Sequence, residues 1–237
     1  MFEGKSVSVI IPTYNEEKSI KSVIDGFFAT GLVNEVVAID NNARGFTAGE
    51  IGKTKARLVK EFKQGYGHAI MRGLKEAKGD LIVVSEGDGT FDPRDIEKLL
   101  IYSRDFDVVL GSRTSRAIIW SGAFMPFSVR VGNWAVAKFL EILNNAPTIT
   151  DVGCTYRLIT RPALERIKDL FPLSEGSGTF SPEMMLWIFR RKLKSVEIPL
   201  MYKPRVGDSM YTGNTWKAAK LGFKMILLII KYEFKKI

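Results

Sequence analysis

Three short polar segments each follow a run of apolar residues that is typical of a buried strand. They are Pro12-Thr13-Tyr14-Asn15-Glu16, Asp40-Asn41-Asn42 and Glu86-Gly87-Asp88-Gly89-Thr90. Ordinary turns and helix caps use the same residue types, so one such segment alone indicates little. Three acidic segments that meet at one edge of a sheet would form a site for a cation and its anionic ligand.

Asp88 is the main candidate for a metal ligand. An aspartate at the end of a buried strand suits Mg²⁺ or Mn²⁺, which bind one or two carboxylates together with phosphate oxygens and water. Gly87 and Gly89 beside it allow a sharp turn and the close approach of a diphosphate. Because the acidic segments would repel an anion, a metal ion is the natural bridge to a phosphorylated ligand.

Several other classes of site lack their required residues. The chain contains no G-x-x-x-x-G-K-[ST] segment, and Gly65-x-Gly67 does not complete G-x-G-x-x-G, which argues against an ATPase, a kinase or an NAD-dependent dehydrogenase. Cys154 and His68 are the only cysteine and histidine, so no internal disulfide or structural zinc cluster can form. We interpret Cys154 as a small core residue and give His68 no catalytic role.

The polar segments need a sheet whose strands end together. Residues 7–11, 36–40, 57–59, 81–84 and 107–110 are predicted strands, and helical patterns separate most of them. Asn15 is the predicted N-cap of the first helix. Strands that alternate with helices form a largely parallel sheet, whose ligands bind beyond the carboxyl ends of the strands. We therefore predict an α/β fold with a mostly parallel central sheet flanked by helices.

The second half of the chain is less regular. Residues 129–143 and 182–191 have helical patterns, whereas 156–159 and 196–198 are predicted to be extended. Two polar stretches without periodicity, 174–181 and 205–214, are candidate mobile loops. No linker rich in proline or serine divides the chain. We predict one principal domain at residues 1–213, followed by a C-terminal helix at residues 214–237.

The chain carries a formal net charge of +9, from 35 Lys and Arg against 26 Asp and Glu. A positive charge favours an anionic partner, such as nucleic acid, an acidic membrane surface or a phosphorylated substrate. The acidic segments argue against nucleic acid because they would repel a polyanion. The N-terminus lacks the pattern of a signal peptide, so we expect the protein in the cytoplasm.

The C-terminal segment, residues 216–237, combines lysines with an apolar block at residues 225–230. This block is far shorter than the ~20 residues that cross a bilayer. Two interpretations remain: a terminal helix that covers the sheet, or a helix in the membrane plane whose lysines contact anionic head groups. We favour the second, which predicts peripheral binding at the cytoplasmic face of the membrane.

In their order along the chain, these motifs resemble the inverting family 2 glycosyltransferases with a GT-A fold, and among them the dolichyl- or polyprenyl-phosphate sugar synthases. The resemblance covers roughly residues 6–210. The resemblance rests on these residues, with EGD at 86–88 in place of the family's D-x-D: VIIPTYNE at 9–16, Asp40, GYGHA at 65–69, Gly73, EGD at 86–88, GSR at 111–113, CTYR at 154–157, FSPEM at 180–184 and RVGDS at 205–209.

The resemblance implies that the first half of the chain binds the donor nucleotide and its metal ion. Asp88, together with Glu86, would hold Mg²⁺ or Mn²⁺ on the donor diphosphate. The residues implied around the base, the ribose and the rest of the donor are Pro12, Tyr14, Glu16, Asp40 and Gly67.

The resemblance also implies four arginines near the sugar or the phosphates, because the planar fork of arginine suits phosphate oxygens. Arg205 would belong to a flexible loop that closes over the site, and Arg130, on a predicted helix, could equally belong to a solvated face. Asp88, Arg130 and Arg205 are the predicted catalytic residues. The further substrate-binding candidates are Arg113, Arg157, Glu183 and Ser209.

Two departures from the family pattern affect these expectations. Glu86 replaces the first aspartate of D-x-D, and Thr90 replaces a glutamine that often follows it, so the full metal ligand set stays open. Where relatives with hydroxyl acceptors carry Glu-Asp, with the aspartate as general base, this chain has Glu183-Met184. A phosphate acceptor needs no such base, because its second pKa is about 6.

The sequence thus predicts metal-dependent, inverting transfer of a sugar from a nucleotide-diphosphate donor to a dolichyl or polyprenyl phosphate. A UDP-sugar is slightly favoured over GDP-mannose as the donor. Two alternatives remain: a family 2 enzyme that acts on a sugar hydroxyl, and a non-catalytic basic module that binds RNA or anionic lipid. The acidic loops argue against the second of these.

Overall fold

The fold is built on a seven-stranded sheet within residues 1–170, 178–207 and 215–233, which the computed structural model describes. Its strands are β1 Val7–Thr13, β2 Glu35–Asp40, β3 Arg57–Lys60, β4 Leu81–Val84, β5 Val108–Ser112, β6 Arg157–Thr160 and β7 Ser195–Pro199. They lie in the order β3-β2-β1-β4-β6-β5-β7. Neighbouring strands are parallel except at β6, which is antiparallel to both β4 and β5.

Helices cover the sheet and connect most of its strands. They are α1 Ile20–Ala29, α2 Thr47–Ile51, α3 Tyr66–Glu76, α4 Ile96–Tyr102, α5 Phe127–Asn144, α6 Arg161–Ile167, α7 Phe180–Arg190 and α8 Thr215–Glu233. This architecture confirms the predicted α/β fold with a mostly parallel central sheet flanked by helices.

Strand β1 lies inside the sheet and is buried along its whole length. Val9 and Ile11 belong to one core cluster together with Phe27 of α1, whereas Ile10 belongs to a second cluster with Leu74 of α3. Successive side chains of a strand point to opposite faces. The continuous apolar run that predicted β1 therefore reflects burial under helices on both faces of the sheet.

Gly73 allows α3 to approach β1 closely. A Cβ atom added at Gly73 would lie 2.1 Å from the Cγ2 atom of Ile10, which is far inside van der Waals contact. A larger residue would push α3 away from the sheet. This close packing fixes the position of the segment before α3, which reaches the carboxyl end of β2.

Helix α8 packs against α5 and α7. Met225, Leu228, Ile229 and Tyr232 are buried in the core cluster that these helices share. Trp216, on the first turn, is exposed. Within the described residues, no helix is both long enough and apolar enough to span a bilayer. Helix α8 is therefore anchored to the body of the protein by one of its faces.

Some local predictions differ from the structure. Asn15 is not an N-cap: α1 begins at Ile20, after Ser19. Asn15 instead adopts a left-handed backbone with φ of 56°, and its Oδ1 atom accepts a hydrogen bond from the Arg44 N–H (2.6 Å). Because Asn tolerates this conformation, it turns the chain after β1 rather than starting a helix. Residues 174–177 and 208–214 of the two predicted mobile loops lie outside the described residues. The predicted loop at 174–181 is wrong at its end, because Phe180 and Ser181 form the first turn of α7.

Candidate active site

A cleft of about 1670 Å³ opens at the carboxyl ends of β1, β2 and β4. The three polar segments identified in the sequence all contribute to its lining, which includes Glu16, Asn41 and Asp88. Helices α5 and α8 form further walls of the same cleft. The edge of the sheet where ligands bind in open α/β folds is therefore the edge that carries these polar residues.

Asp88 and Glu86 are oriented by threonine donors. Asp88 is buried, and its Oδ1 atom accepts hydrogen bonds from the Thr90 N–H (2.9 Å) and the Thr90 hydroxyl (2.6 Å). The Oε1 atom of Glu86 accepts a hydrogen bond from the Thr155 hydroxyl (2.8 Å). The Oδ2 atom of Asp88 is buried and accepts no hydrogen bond from a described residue. This oxygen instead faces a cation, Arg205 Nη1 at 2.9 Å, whose place a bound metal ion could take.

Glu16 adds a third carboxylate to this group. Its Oε2 atom would lie 2.4 Å from a Cβ atom added at Gly87, so the glycine makes room for Glu16. Burial raises the pKa of Glu16 to about 8, and repulsion by Asp88 contributes further. Burial, followed by repulsion from Asp88, also raises the pKa of Glu86. A group of carboxylates that repel one another in a buried setting attracts a cation.

Arg205 is the counter-ion of this carboxylate group. Its Nη1 atom lies 2.9 Å from Asp88 Oδ2, and its Nη2 atom lies 3.5 Å from Glu16 Oε1. The Val206 N–H donates to the Asp88 carbonyl (2.9 Å), which joins the two segments through their backbones. The structure therefore holds Arg205 directly beside Asp88 and Glu16. Residues 208–214, which include the candidate Ser209, lie outside the described residues.

The acidic group fits a divalent cation that also takes oxygens from its ligand. No cluster of three or more His, Cys, Asp or Glu side chains in the described ranges could hold a metal ion by itself. Mg²⁺ and Mn²⁺ bind one or two carboxylates and complete their coordination with phosphate oxygens and water. Asp88 supplies a buried oxygen without a hydrogen bond, and Glu86 lines the cleft beside it. The residues present therefore fit such an ion.

Arg113, directly after β5, brings a second guanidinium to the cleft. Its Nε atom donates to Asp151 Oδ2 (2.8 Å), and its Nη2 atom donates to Asp151 Oδ1 (3.0 Å). Its guanidinium also lies over the Tyr202 ring, 5.3 Å from the centroid. Because Asp151 is fully buried, this pair holds Arg113 in one orientation at the wall of the cleft.

Pro12 and Tyr14 line the part of the cleft that follows β1. Asn41, next to them, ties the end of β2 to the segment that leads into α3. Its Nδ2 atom donates to the Lys63 carbonyl (2.8 Å), and its Oδ1 atom accepts from the Gly65 N–H (2.7 Å). These contacts give this end of the cleft a polar wall built largely from backbone.

Asp40 and Gly67 lie behind this wall, not among the residues that line it. Asp40 is buried, and its Oδ1 atom accepts a hydrogen bond from the Ala43 N–H (2.9 Å), which closes the turn after β2. Gly67 is buried in the first turn of α3. The structure therefore places both next to the predicted nucleotide site but gives neither a contact with the cleft.

Arg130 does not line the main cleft. It lies in a second, smaller pocket on the outer side of α5, together with Arg116 and the half-exposed Trp134. Its guanidinium is 5.7 Å from the centroid of the Phe127 ring. This placement separates Arg130 from Asp88 and Arg205, the other two predicted catalytic residues.

Arg157 and Glu183 are buried behind the cleft. Arg157 donates to the Ser181 hydroxyl (3.1 Å) and to the Cys154 carbonyl. Burial lowers the pKa of Arg157. Glu183 is fully buried near the start of α7. Since Ser181 lines the cleft and Arg157 does not, Arg157 supports the cleft wall from behind.

Sequence reasoning missed the residues that orient the charged groups. Thr90 orients Asp88, Thr155 orients Glu86, and Asp151 orients Arg113. The spacing of Thr90, two residues after Asp88, is the usual signal for a local hydrogen bond between side chain and backbone. Thr155 and Asp151 come from a distant segment between α5 and β6, which only the folded chain brings to the cleft.

Two curated relatives align with most of this chain. Agl6 of Haloferax volcanii, a low-salt glycan biosynthesis hexosyltransferase, is 29% identical over 210 residues, which make up 86% of this chain and 49% of Agl6. This chain thus spans about half the length of that relative. A dolichyl-phosphate hexose transferase of the same organism is 30% identical over 206 residues, which make up 86% of this chain and 85% of the relative.

The fold is similar to that of a solved glycosyltransferase. This structure is that of glucosyl-3-phosphoglycerate synthase from Mycobacterium tuberculosis in complex with Mn²⁺, UDP and phosphoglyceric acid. The two chains superpose with a TM-score of 0.75 at 18% sequence identity, and the superposition covers 99% of this chain and 80% of the synthase. This likeness shows a GT-A fold. The sequence profile described as Glycosyl transferase family 2 matches residues 8–168. The chain therefore belongs to glycosyltransferase family 2 and is a glycosyltransferase with a GT-A fold.

Proposed function

We propose that this enzyme transfers a sugar from a nucleotide-diphosphate donor to a dolichyl or polyprenyl phosphate, with inversion, and that it requires Mg²⁺ or Mn²⁺. The observation that carries the proposal is the buried Oδ2 atom of Asp88, which faces Arg205 and accepts no hydrogen bond from a described residue. A lipid-phosphate acceptor is supported by the dolichyl-phosphate hexose transferase that is 30% identical to this chain.

The donor diphosphate would bind where the carboxylates and arginines meet. Asp88 and Glu86 would hold the metal ion, which neutralises charge on the departing diphosphate. Arg205 would exchange its contact with Asp88 for a phosphate oxygen of the donor. The metal ligands and Arg205 together stabilise the charge that develops on the leaving group. Arg113, which Asp151 already orients, would bind a phosphate oxygen of the acceptor.

The acceptor would need no protein base. Glu183, which occupies the place of the acidic pair in relatives with hydroxyl acceptors, is fully buried and does not line the cleft. An acceptor phosphate is already an anion near neutral pH, because its second pKa is about 6. One of its oxygens forms the new bond to the anomeric carbon as the bond to the nucleoside diphosphate breaks. Attack from the side opposite the leaving group inverts the configuration at that carbon.

We place the reaction at the membrane surface, because a polyprenyl phosphate is embedded in lipid. Helix α8 exposes the apolar side chains of Phe223 and Leu227 together with Lys220 and Lys224. Apolar side chains flanked by lysines favour a peripheral position on an anionic membrane. We expect this position to be at the cytoplasmic face, where nucleotide sugars are available.

A donor screen in detergent tests the proposed reaction. The full chain is incubated with UDP-sugars or GDP-mannose and with Mn²⁺ or Mg²⁺. The acceptors are undecaprenyl phosphate, dolichyl phosphate and, in parallel, a panel of soluble sugars, and products are detected by mass. We expect a sugar-phosphate-lipid product, formed from a UDP-sugar in preference to GDP-mannose and abolished by EDTA. Product formed only on a sugar hydroxyl would support the hydroxyl-acceptor alternative, and transfer to none of these acceptors would contradict the proposal.

A further inference from the structure

The cleft has a second limb between α5 and α8 whose chemistry differs from that of its polar end. None of the cleft-lining residues that the structure describes on these two helices is charged. The polar end, in contrast, contains Glu16, Asp88 and Arg205. We define the α5–α8 limb by six of its lining residues, which are Val129, Gly132, Val136, Leu221, Gly222 and Ile226.

Two glycines of the α5–α8 limb have open space beside them. A Cβ atom added at Gly132 or at Gly222 would meet no heavy atom within 4 Å. Neither glycine has a positive φ, so neither backbone requires glycine. Both lie inside helices, where glycine lowers helix stability. Since packing and backbone geometry do not account for these two glycines, the space beside them is available to a ligand.

The α5–α8 limb meets the polar end of the cleft at Arg113. A Cβ atom added at Gly153 would lie 2.9 Å from Arg113 Nη2 and 3.1 Å from Asn133 Oδ1. Arg113, Asn133 and Gly153 therefore converge at one point, and all three line the cleft. Asn133 belongs to α5, one residue after Gly132. A phosphate bound to Arg113 would have the apolar limb directly beside it.

The α5–α8 limb also reaches the protein surface. Phe223 lines the cleft and is nevertheless 62% exposed, and Leu227, one turn later on α8, is 50% exposed. Lys220 and Lys224 are exposed on the same helix and do not line the cleft. An apolar chain held in a membrane could therefore enter the limb past Phe223, with lysines nearby for anionic head groups.

We propose that the α5–α8 limb binds the isoprenoid chain of the acceptor and thereby places the acceptor phosphate at Arg113. This inference rests on the proposed function and adds the path of the lipid chain to it. An uncharged, apolar wall offers little to a nucleotide or a sugar, whereas it stabilises methyl and methylene groups by removing them from water. The enzyme should therefore distinguish acceptors by the length of their chain.

Filling the α5–α8 limb tests this proposal. Gly132→Leu and Gly222→Leu place a side chain in the limb at positions with space beside them, and leucine favours a helix more than glycine does. Gly49→Leu is the matched control, because Gly49 lies in α2 and also has no heavy atom within 4 Å of an added Cβ. Each variant is assayed with undecaprenyl phosphate and with citronellyl phosphate, a short isoprenoid.

We expect the preference for the long acceptor over the short one, measured as a ratio of kcat/KM values, to fall about tenfold in each limb variant, the effect of a modest steric conflict. The same ratio should be unchanged in Gly49→Leu. Circular dichroism and thermal unfolding establish that the variants are folded. An unchanged ratio in folded limb variants would overturn the proposal.

Photocrosslinking of the unmodified full chain provides a second readout that needs no turnover. A diazirine-bearing polyprenyl phosphate should label peptides of α5 and α8, and undecaprenyl phosphate should compete with it while phosphatidylglycerol should not. Labelling elsewhere, or equal competition by phosphatidylglycerol, would overturn the proposal, the latter by identifying a bulk lipid chain as the occupant. Labelling of α5 and α8 without transfer to any lipid phosphate would reject the proposed function but keep the lipid site. Transfer to a lipid phosphate together with labelling elsewhere would support the proposed function but reject the α5–α8 limb as the lipid site.

Discussion

Asp88 has one oxygen for which two cations compete. In the structure this oxygen lies 2.9 Å from the Arg205 guanidinium, and the same oxygen is the one best suited to a divalent ion. Burial, followed by repulsion from Asp88, raises the pKa of both Glu16 and Glu86, and a bound cation would favour the charged form of these carboxylates. Arrival of a metal-bound diphosphate would replace Arg205 on Asp88 and offer the arginine a phosphate oxygen instead. Ligand binding thus needs only a change of partner by one side chain.

Asp88→Asn should nearly abolish transfer while leaving the fold intact. The substitution removes a charge from the metal site but keeps an oxygen that can accept the hydrogen bonds from Thr90. We expect kcat to fall by about two to three orders of magnitude, as when one group that stabilises transition-state charge is removed. Steady-state kinetics with Mn²⁺ and a thermal melt measure the two effects. Full turnover with unchanged metal dependence would exclude Asp88 as the ligand.

Asp151→Asn should destabilise the protein by about 3 kcal/mol, because it leaves the Arg113 charge buried without its carboxylate partner. Burial acts to raise the pKa of Asp151, but Arg113 outweighs it and holds this pKa below its usual range. The stabilisation is therefore present above the pKa of an unfolded aspartate and is lost as the pH falls through the lower, folded value. Urea unfolding at pH 7 measures the loss.

The control for Asp151 is the exposed ion pair between Lys21 and Asp25. Asp25→Asn removes the same charge from a solvated pair and should leave the free energy of unfolding almost unchanged. Equal effects of the two substitutions would show that the Arg113–Asp151 pair contributes no more than a surface pair.

At the level of residues, motif order predicted which positions follow the strands but not where each side chain points. Asp88, Glu16 and Arg113 lie in the cleft because they directly follow strands whose ends form it. Arg130 and Arg157 belong to an 18-residue helix and a strand, where the direction of a side chain depends on packing with distant elements. Residues in such elements cannot be assigned to a ligand from a motif alone.

At the level of elements, the sheet shows what a local pattern can and cannot predict. The apolar runs of β1, β2 and β4 and the helices between them were sufficient to predict parallel pairing. Strand β6 is antiparallel to both of its neighbours, and nothing in a four-residue strand specifies its direction. Helix α6 was also missed, although Pro162 at its start is a typical signal for a first helical turn.

Gly73→Ala should destabilise the protein although alanine favours a helix. The added Cβ would lie 2.1 Å from Ile10 Cγ2, and such overpacking costs about 1–3 kcal/mol, which exceeds the gain in helix propensity of about 1 kcal/mol. Gly49→Ala, where the added Cβ meets no atom within 4 Å, should be neutral or stabilising. Urea unfolding of both variants compares the cost of overpacking with the gain in helix propensity. Stabilisation by both would show that α3 can move away from β1 without cost.

Helix α8 is apolar on two faces. The buried residues Met225, Leu228, Ile229 and Tyr232 follow the i, i+3, i+4, i+7 spacing of one helix face. Leu227 and Ile230 lie on the exposed side, with Lys231 beside them. Both interpretations of the C-terminal segment therefore have structural support, since one face packs in the core and the other is free to contact lipid. Deleting the whole segment would remove both faces at once and could not separate their roles.

Substitutions on the two faces of α8 should have different effects. The double variant Leu227→Glu and Ile230→Glu should stay folded but bind vesicles containing phosphatidylglycerol at least several-fold more weakly, because carboxylates replace the apolar contact and repel anionic lipid. Ile229→Glu, on the buried face, should instead unfold the protein or lower its melting temperature strongly. Vesicle sedimentation and thermal melts distinguish the outcomes. Unchanged vesicle binding by the folded double variant would reject a lipid contact by α8.

At the level of the whole molecule, charge and site chemistry are separated in space. The net charge of +9 favours an anionic partner, yet the polar end of the cleft carries the carboxylates Glu16, Glu86 and Asp88. The exposed basic residues Lys220, Lys224 and Lys231 lie on α8, and Arg116 and Arg130 lie in the pocket beside α5. Composition alone could predict an anionic partner but not this distribution. The observed distribution places positive charge near the mouth of the α5–α8 limb, and it leaves negative charge where a metal ion would neutralise it.

This distribution predicts that membrane binding has a salt-sensitive part and a salt-resistant part. Each lysine near an anionic surface contributes about 1 kcal/mol, and this attraction is largely screened at ~1 M salt, where the Debye length is about 3 Å. The apolar contact of α8 is not screened. Sedimentation with phosphatidylglycerol vesicles should therefore show strong binding at low salt and weaker, residual binding at high salt, whereas neutral phosphatidylcholine vesicles should show only the residual level at both. Binding that does not change with salt would rule out a contribution of the basic residues to membrane binding. Complete release at high salt would instead remove the role of the apolar face and, with it, the entry route that the α5–α8 limb requires.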